Sequence, residues 1–500
     1  MKNFYVTTPI YYVNAKPHIG SAYTTIAADI LARWHRQNQE DTFFLTGTDE
    51  HGQKVANKAQ KENIEPIELC NKNSARFKQV FDSMSISYDR FIRTTEKSHE
   101  KMVGEVLKKL KEKDLIYKGE YKGLYCVACE RYYTSKELKD GKCPYHNTEP
   151  IQLSEECYFF KLSAFRQPLI DLLKSDKWRV EPKERKNELL GFLLSEELED
   201  LAISRKNVSW GVKIPWDRTQ TVYVWVDALF NYLSGLGWDG KSKVENKFWP
   251  PEIQLIGKDI LRFHGIIWPA FLLALDIDLP KKLFAHGFFT VNGKKMSKSL
   301  GNAIDPEELG QTFGVDPLRW LLVSCFPFGT DGDVSVSKFY DAYTNELSNG
   351  IGNLLRRVVS LALKKDISYQ IIKPKTKIKK TVEKSWKDYK KYLNELKFQK
   401  AKNIIMKLAG FADKYVEKKK PWTIEDDKKY KEIISHLLEI IRQITWMIYP
   451  FMPDKATQMF KSLGIESQEK KKSFEQAIKL GKVKFDNISQ IDILFPKNLK

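Results

Sequence analysis

Long apolar runs are absent from this 500-residue sequence, although 42% of its residues are hydrophobic. No run reaches the roughly 18–20 residues that a membrane-spanning helix needs. The first residues, MKNFYVTTPIYYVN, lack the basic stretch, apolar segment and cleavage site of a signal peptide. We therefore expect a cytoplasmic protein. Because that compartment is reducing, disulfide bonds are not expected among the six cysteines.

Acidic residues are scarce in the last third of the chain. Residues 351–500 contain 35 Lys and Arg against 17 Asp and Glu, whereas residues 1–350 contain 48 against 47. The formal net charge of +19 therefore resides almost wholly in the C-terminal part. Such a surface suits a polyanion, because lysine and arginine bind phosphates and release counterions. The alternative is that lysines only cover a solvated helical surface.

The sequence patterns predict several domains, because 500 residues exceed one compact core. Residues 1–115 alternate strand-like runs with long helical patterns, which predicts the first half of an α/β domain with a parallel sheet. Residues 116–224 break this rhythm and are predicted to be an insertion, after which the α/β pattern resumes over residues 225–290. Residues 291–350 link this domain to residues 351–500, where strands disappear and helical spacing of apolar residues predicts a bundle.

A His-x-Gly motif stands at the start of the first long helical pattern. Pro17 suits the first turn of a helix, and a helix N-terminus attracts phosphate through its free amides and its dipole. Gly20 allows a flat base to approach the backbone, and His18 can donate a hydrogen bond to a phosphate oxygen. Taken alone, the motif equally fits helix capping or packing.

A second motif, KMSKS at residues 295–299, is cationic and rich in hydroxyl groups. Gly293 and Gly301 flank it, as expected of a loop that closes over a substrate. A solvated basic turn is the alternative. The occurrence of two phosphate-type motifs on one α/β scaffold favours a nucleotide-binding loop.

Two pairs of potential metal ligands lie in the predicted insertion. Cys126 pairs with Cys129, Cys143 pairs with His146, and thirteen residues separate the two pairs. Three thiolates and one imidazole at this spacing can surround zinc tetrahedrally, which predicts one structural zinc ion. The alternative is ordinary buried cysteines and a surface histidine. The remaining three cysteines have no such partners and are assigned to the core.

Five sequence blocks occur in the order of a known family: FYVTTPIYYVNAKPHIGSAYTT, FFLTGTDEHGQKV, YVWVDALFNY, LIGKDILRFH and VNGKKMSKSLGN. PHIGS and KMSKS resemble the two signature motifs of class I aminoacyl-tRNA synthetases. Together, the blocks resemble methionyl-tRNA synthetases from residue 4 to about residue 455. The resemblance implies a doubly wound Rossmann-type catalytic domain with a zinc-knuckle insertion and a C-terminal α-helical anticodon-binding domain. It further implies an ATP-dependent ligase that converts methionine to methionyl-adenylate and transfers it to tRNA(Met).

The resemblance also assigns the catalytic residues. His18 and Lys298 are expected to bind the triphosphate of ATP, with Lys295 and Ser21 assisting and Mg²⁺ accompanying the nucleotide. Ser21 is a departure, because the family's first motif usually ends in a second histidine. Its hydroxyl group is expected to act as a weaker donor at the same helix end. Three further residues resemble the adenosine-side loop: Gly257, Lys258 and Asp259.

An amino-acid pocket is predicted from one apolar helix face, whose members recur at helical spacing: Trp225, Ala228, Leu229 and Tyr232. By its spacing alone, this face fits a plain core. The resemblance assigns it to the methionine pocket, together with Ile10, Tyr12 and His264, and an aromatic cavity suits a polarizable thioether. Asp49, which could also cap a helix, matches the family residue that binds the substrate's ammonium group.

Three residues of the helical part match the family's anticodon-reading residues. Asn353 and Arg357 are four apart and so share a helix face, and Trp422 follows at a junction between helices. Amide and guanidinium groups can bind base edges, and an indole offers a stacking surface. The alternative is that Trp422 packs the bundle and Arg357 is only solvated.

Two other classes of protein share some of these features. Class I synthetases for valine, isoleucine or leucine carry a large editing insertion, for which residues 116–224 are too few. A nucleotidyltransferase that does not use tRNA would not need the basic helical part, and a tRNA-binding module without activity would not need KMSKS. The sequence lacks a recognisable extra tRNA-binding domain of the kind through which some family members dimerise, so we expect a monomer.

Overall fold

The structure is a computed structural model. It describes residues 2–14, 16–127, 131–133, 138–144, 147–291, 294–295, 305–370, 374–469, 474–490 and 492–497. Within this part of the chain, no helix combines the length and the apolar character needed to cross a membrane.

The strands fall mainly in the first two thirds of the chain. They are β1 (Asn3–Thr7), β2 (Tyr11–Tyr12), β3 (Asp41–Asp49), β4 (Arg90–Arg93), β5 (Ile116–Cys126), β6 (Arg131–Tyr133), β7 (Ile151–Phe160), β8 (Arg179–Glu181), β9 (Leu201–Ala202), β10 (Ser204–Arg205), β11 (Lys213–Ile214), β12 (Asp217–Val222), β13 (Ile253–Gly257), β14 (Lys282–His286), β15 (Phe289–Val291), β16 (Lys294–Lys295), β17 (Gly332–Asp333), β18 (Tyr369–Gln370) and β19 (Lys484–Phe485).

The α-helices extend over the whole chain and dominate its last third. They are α1 (Ile19–Gln37), α2 (Gln53–Glu62), α3 (Pro66–Ser83), α4 (Lys97–Glu112), α5 (Arg166–Lys174), α6 (Lys183–Ser195), α7 (Val224–Leu229), α8 (Asn231–Ser234), α9 (Trp268–Ala274), α10 (Pro306–Phe313), α11 (Val315–Ser324), α12 (Val336–Ala342), α13 (Asn353–Ala362), α14 (Thr376–Asn394), α15 (Phe398–Lys419), α16 (Asp427–Ile448), α17 (Pro453–Ser462), α18 (Glu466–Glu469) and α19 (Phe474–Ala477). Two π-helical segments, Phe263–Ile267 and Tyr343–Gly352, precede α9 and α13.

A parallel sheet organises the first part of the chain. Strand β1 pairs with β3 on one side and with β13 on the other, β14 and then β8 follow beyond β13, and β2 and β4 also pair with β3. The order therefore reverses direction at β1, and a crevice opens there at the carboxyl ends of the strands. Such switch points are where open α/β sheets bind their ligands.

Helices cover both faces of this sheet. One hydrophobic cluster includes Ile26 of α1 and Phe81 of α3 and continues into the helical C-terminal part. The other includes Val106 of α4 and Phe271 of α9. Because neither face meets solvent, the parallel strands are apolar on both sides, as seen in the neighbouring residues Leu255 and Ile256 of β13, which belong to the first and the second cluster respectively.

The predicted insertion forms two small sheets and also adds a strand to the central sheet. Strands β6, β5, β7 and β9 form an antiparallel sheet, and β10, β12 and β11 form a second one. In addition, β8 pairs in parallel with β14 and becomes the edge strand of the central sheet. This role was not foreseen, because three residues are too short a run to be recognised as a strand of that sheet.

The C-terminal part is a helical bundle around a continuous core. Helix α16 is buried along almost its entire length, and Trp386 and Tyr389 of α14 donate hydrogen bonds to Gln443 and to the carbonyl of Met447 on it. The prediction that strands disappear after residue 350 was wrong in one detail. Strands β18 and β19 form a two-residue antiparallel pair beside the bundle.

A buried arginine joins the bundle to the parallel-sheet part. Arg319 on α11 is fully buried and pairs with Asp29 of α1 at 2.6 Å. Its guanidinium also donates to the carbonyl oxygens of Met84 (3.2 Å), Pro450 (3.1 Å) and Phe451 (2.9 Å). Because a buried charge is costly unless it is paired and hydrogen-bonded, this complete set of partners fixes α11 between α1 and the corner after α16.

Candidate active site

Helix α1 begins at the predicted phosphate-binding motif. His18 is its N-cap, and the ring Nδ1 of His18 accepts a hydrogen bond from the amide of Gly20 at 3.0 Å. A Cβ atom on residue 20 would lie 2.8 Å from Cε1 of His18, so glycine permits this tight approach. The first turn carries no acidic residue. The positive end of the helix dipole is therefore not compensated by its own side chains and can attract an anion.

Ser21 completes a capping box at this helix end. Its Oγ accepts from the amide of His18 at 3.0 Å and donates to the carbonyl oxygen of the same residue at 2.7 Å. Ser21 is 3% exposed. In this geometry, the hydroxyl proton of Ser21 is already used in the hydrogen bond to the backbone of His18. The first role of Ser21 is therefore to hold His18 in place.

Substituting Ser21 with alanine should therefore loosen the start of α1. We expect a loss of about 1 kcal/mol in the free energy of unfolding, the usual cost of removing a helix cap. Urea unfolding of the variant measures this loss. Ser21→Thr retains the hydroxyl and is the matched control. An unchanged midpoint for Ser21→Ala would contradict the capping role.

One cavity of about 310 Å³ occupies the crevice at the carboxyl ends of the strands. All eight residues predicted to bind methionine line it: Ile10, Tyr12, Asp49, Trp225, Ala228, Leu229, Tyr232 and His264. Five residues predicted for ATP line its other end: His18, Gly20, Ser21, Gly257 and Asp259. The structure thus brings the two predicted sets together in a single space.

The amino-acid end of the cavity is aromatic and nearly uncharged. Tyr232 and Nε2 of His264 are joined by a hydrogen bond of 2.7 Å, and Nδ1 of His264 contacts the carbonyl of Ile260 at 3.1 Å. Burial lowers the pKa of His264 to about 4, so the imidazole is neutral at physiological pH, donates from Nδ1 and accepts from Tyr232. Trp225 stacks on Phe263, with ring centroids 3.9 Å apart.

Asp49 supplies the acid of this end. It is the last residue of β3 and is 4% exposed, so its carboxylate lies at the carboxyl edge of the sheet and inside the cavity. A carboxylate in such a space can pair with the ammonium group of a free amino acid.

Lys258, unlike its predicted nucleotide-binding neighbours Gly257 and Asp259, has its side chain engaged outside the cavity. Its Nζ pairs with the carboxylate of Asp331 at 2.6 and 2.7 Å and lies 4.7 Å from the ring centre of Phe288. It does not line the cavity, whereas Gly257 and Asp259 do. Within this structure, Lys258 therefore connects the segment after β13 to the segment before β17.

A second histidine, His286, which was not predicted from the sequence, lies at the nucleotide end. Nε2 of His286, at the end of β14, is 2.6 Å from Oγ1 of Thr24 on α1, and both residues line the cavity. Burial lowers the pKa of His286 to about 4, and its Nδ1 contacts the carbonyl of Gly287 at 2.8 Å, so Nε2 accepts from Thr24. The available signal was the run AHGFFTVNG, which places this histidine at a strand end just before KMSKS.

The KMSKS motif lies mostly outside the described residues, including Lys298. The backbone of Lys295 is described: it lies in β16 and pairs with Thr290 of β15 in an antiparallel hairpin. Phe289 of β15 lines the cavity. The hairpin therefore carries the chain from the nucleotide end of the cavity towards the motif.

Two of the four predicted zinc ligands are described. Cys126 and Cys143 are each 1% exposed and belong to one small buried cluster with Tyr133. The hydroxyl of Tyr133 lies 3.6 Å from Sγ of Cys143, and Thr148 lies 3.7 Å from Sγ of Cys126. Cys129 and His146 lie outside the described residues. Among the residues that are described, no group of three potential ligands forms a metal site.

The predicted anticodon residues lie together on the bundle surface. The guanidinium of Arg357 on α13 is 5.3 Å from the ring centre of Trp422 and pairs with Glu417 of α15 at 2.7 Å. Trp422 is 45% exposed, which is unusual for a tryptophan and unlike a core residue. Asn353 is exposed one turn before Arg357 on α13 and also lines a surface cavity against residues 492–497.

Comparison with known proteins identifies the family. The family described as tRNA synthetases class I (M) matches residues 4–152 and 133–359, and the anticodon binding domain of methionyl tRNA ligase matches residues 370–497. The methionine–tRNA ligase of Rickettsia prowazekii is 41% identical over 511 residues, which cover 99% of this chain and 100% of the relative. The chain belongs to the methionyl-tRNA synthetases. The corresponding ligase of Caldanaerobacter subterraneus is 40% identical and is covered to 79% of its length.

The solved structures agree with this family. Methionyl-tRNA synthetase of Mycobacterium tuberculosis in complex with methionyl-adenylate has a TM-score of 0.93 and 35% identity, covering 99% of this chain and 100% of that one. Its apo form has a TM-score of 0.87 and 32% identity. The predicted family and the α/β fold with a helical anticodon-binding domain are therefore confirmed. Synthetases for valine, isoleucine or leucine and the two non-synthetase alternatives are excluded.

Proposed function

We propose that this methionyl-tRNA synthetase family member activates methionine and joins it to tRNA(Met) through the cavity described above. In the first step, a carboxylate oxygen of methionine attacks the α-phosphate of ATP, and pyrophosphate leaves. In the second, a terminal ribose hydroxyl of tRNA attacks the acyl carbon, and AMP leaves. The observation that carries the proposal is that one cavity joins an acid, an aromatic pocket and the phosphate-attracting start of α1.

Methionine would lie with its ammonium group at Asp49 and its side chain against Trp225, Ala228 and Leu229. The geometry supports this orientation because Asp49, at the end of β3, and three residues of α7 line the same cavity. The hydrogen bond between Tyr232 and His264 pairs these two polar groups with each other, so the thioether would meet mainly aromatic and apolar surface.

ATP would lie with its phosphates at the start of α1 and its base against Gly20. His18 would donate to a phosphate oxygen, while Lys298 and Lys295 would approach from the KMSKS segment and Ser21 would hold the cap. Mg²⁺ bound to the triphosphate would neutralise part of its charge. No residue needs to act as a covalent nucleophile, because positioning and charge stabilisation suffice for this displacement.

Methionine-dependent exchange of radiolabelled pyrophosphate into ATP tests the first step. We expect exchange with methionine, and none above background with isoleucine, valine or leucine at the same concentration. Charging of tRNA(Met) with labelled methionine tests the second step. Exchange that depends on another amino acid, or exchange without tRNA charging, would contradict the proposal.

We also propose that the protein is a cytoplasmic monomer. Size-exclusion chromatography with light scattering should therefore give the mass of one chain.

A structural zinc ion is also part of the proposal, held by Cys126, Cys129, Cys143 and His146. Burial of the two described thiols in one small cluster supports it, because thiolates of a closed zinc site are shielded from solvent. Metal analysis of protein purified without chelators should find about one zinc per chain. Cys143→Ser should release the ion, whereas Cys157→Ser, at a cysteine buried outside this cluster, should retain it. Native protein without zinc would contradict the site.

A further inference from the structure

A charged cluster is buried directly behind the amino-acid end of the cavity. Asp227 is 1% exposed, and its two carboxylate oxygens bind two different histidines. Oδ2 is 2.7 Å from Nδ1 of His51, and Oδ1 is 2.9 Å from Nε2 of His99. His99 is fully buried and contacts Ser234 of α8 through Nδ1 at 2.7 Å. Asp227, His51 and His99, here named the buried cluster, do not line the cavity.

The buried cluster connects the two ends of the proposed methionine site. Asp227 lies on α7 between Trp225 and Ala228, which line the cavity, whereas Asp227 does not. His51 follows Asp49 by two residues, and its backbone carbonyl accepts a hydrogen bond of 2.9 Å from Tyr12, another cavity residue. The ion pair between Asp227 and His51 therefore ties the wall of the side-chain pocket to the strand end that carries the ammonium-binding acid.

Both partners of this ion pair are charged at physiological pH. Burial alone would lower the pKa of His51, but the carboxylate of Asp227, with help from Glu100 at 3.7 Å and from Asp49, raises it to about 10. Burial would likewise raise the pKa of Asp227, but the two histidines hold it below its ordinary value. The ring of Trp210 packs at 5.6 Å against His51 from the remaining side. His51 and Asp227 thus form an imidazolium–carboxylate pair at physiological pH.

We propose that Asp227, His51 and His99 are positioning residues that fix the distance between Asp49 and the apolar wall on α7, and thereby select an amino acid of methionine's length. This role rests on the proposed function of the cavity. A buried ion pair contributes little to stability compared with apolar residues of equal volume, because desolvation offsets its attraction. What the pair provides here is a fixed distance between Asp49 and α7. In an apolar pocket, one extra or missing methylene group changes the discrimination between substrates by about 10–200-fold, so a small change in this distance would matter.

Asp227→Asn tests the role, because asparagine keeps the shape of the side chain and removes its charge. We expect the KM for methionine in pyrophosphate exchange to rise at least about tenfold, on the scale of one misplaced methylene. The KM for ATP should stay close to the native value, because the ATP end of the cavity does not contact the cluster. Discrimination of methionine against the shorter homocysteine and the longer ethionine should fall.

Glu439→Gln is the matched control. Glu439 is a fully buried carboxylate, paired with buried Arg442 at 2.6 Å on α16, and lies in the helical part away from the cavity. Both substitutions neutralise one partner of a buried ion pair and should lower the thermal unfolding midpoint. Only Asp227→Asn should change the KM for methionine, which separates positioning from general destabilisation.

The pH profile gives a second readout. In the native protein, His51 stays charged between pH 6 and 8, so the KM for methionine should be flat there. In Asp227→Asn, the main cause of the raised pKa is removed and burial favours the neutral imidazole. His51 should then lose its proton within this range, and the KM for methionine should rise with pH. A merely structural role would not add this pH dependence.

The double variant Asp227→Asn/His51→Gln keeps the test valid if the single variant does not fold. It removes both charges. At pH 6, where His51 of Asp227→Asn still carries its proton, the double variant should be the more stable of the two, because no unpaired buried charge remains. Its KM for methionine should still be raised. If every folded variant retains the native exchange rate and the native KM for methionine, the positioning role is wrong, whereas the proposed function of the cavity stands. Absence of methionine-dependent exchange from the native protein would overturn the proposed function, and this role with it.

Discussion

Replacing Lys298 with alanine is expected to slow methionine-dependent pyrophosphate exchange by about 10²–10³-fold, the usual cost of losing one group that stabilises transition-state charge. Negative charge grows on the departing pyrophosphate as the α-phosphate is attacked. A lysine that binds this charge more strongly in the transition state than in the ground state acts on the rate and not on substrate binding. The KM for methionine should therefore change much less than kcat.

The hairpin that precedes Lys298 in the chain motivates this expectation. Lys298 lies outside the described residues, but β15 and β16 lead from Phe289 in the cavity wall to the backbone of Lys295, three residues before it. Lys294→Ala is the matched control, because it removes a neighbouring lysine that precedes the motif. We expect exchange within about twofold of native for this control. Exchange at the native rate in Lys298→Ala, or an equal loss in Lys294→Ala, would contradict the assignment.

Local sequence signals predicted the parts of the site that depend on one segment. A helix start at the His-x-Gly motif was predicted, although Pro17 precedes the N-cap His18 and does not lie in the first turn of α1. Helical spacing predicted that Trp225, Ala228, Leu229 and Tyr232 share one face of α7 and α8, and the family resemblance assigned that face to the pocket. The parallel sheet follows from alternating strands and helices, since β1 and β3 are joined through α1. These features are set by propensities and periodicities that act within about twenty residues.

Features that depend on distant partners were not predictable in the same way. The pair of His51 and Asp227 is separated by 176 positions, and the contact of Thr24 with His286 by 262. No periodicity encodes such contacts, which exist only after the sheet brings its strand ends together. The pairing of Lys258 with Asp331 likewise draws a predicted nucleotide-binding side chain out of the cavity, through an aspartate 73 positions away. Motif spacing identifies which residues are near a site, whereas tertiary contacts decide which side chains face it.

Methionine and tRNA, two of the three substrates, are predicted to bind at separate parts of the structure. The cavity that would activate methionine lies at the edge of the parallel sheet, whereas Trp422 and Arg357 lie on the helical bundle. Arg319 connects the two parts through buried hydrogen bonds, and none of these involves the residues predicted to read the anticodon. Substitutions at Trp422 should therefore separate tRNA selection from methionine activation.

Trp422→Ala is expected to reduce the use of tRNA(Met), measured as kcat/KM for tRNA in charging, by about 1–3 kcal/mol, the range for losing one stacked base. This corresponds to roughly a fivefold to 150-fold loss. The indole is 45% exposed, and the Arg357 guanidinium lies over one face of its ring at 5.3 Å, so a base would stack on the other face. Pyrophosphate exchange, which does not require tRNA, should remain at the native rate.

Trp422→Phe is the matched control for the loss of stacking. It keeps an aromatic face and should retain most of the charging rate, whereas alanine removes the face altogether. Transcripts of tRNA(Met) with a substituted anticodon give the complementary test: the native protein should charge them poorly, and Trp422→Ala should discriminate less between them and the native transcript. If exchange and charging fall together in Trp422→Ala, the tryptophan supports the fold of the bundle and not the anticodon. If the native protein charges the substituted transcripts as well as tRNA(Met), the surface formed by Asn353, Arg357 and Trp422 does not read the anticodon.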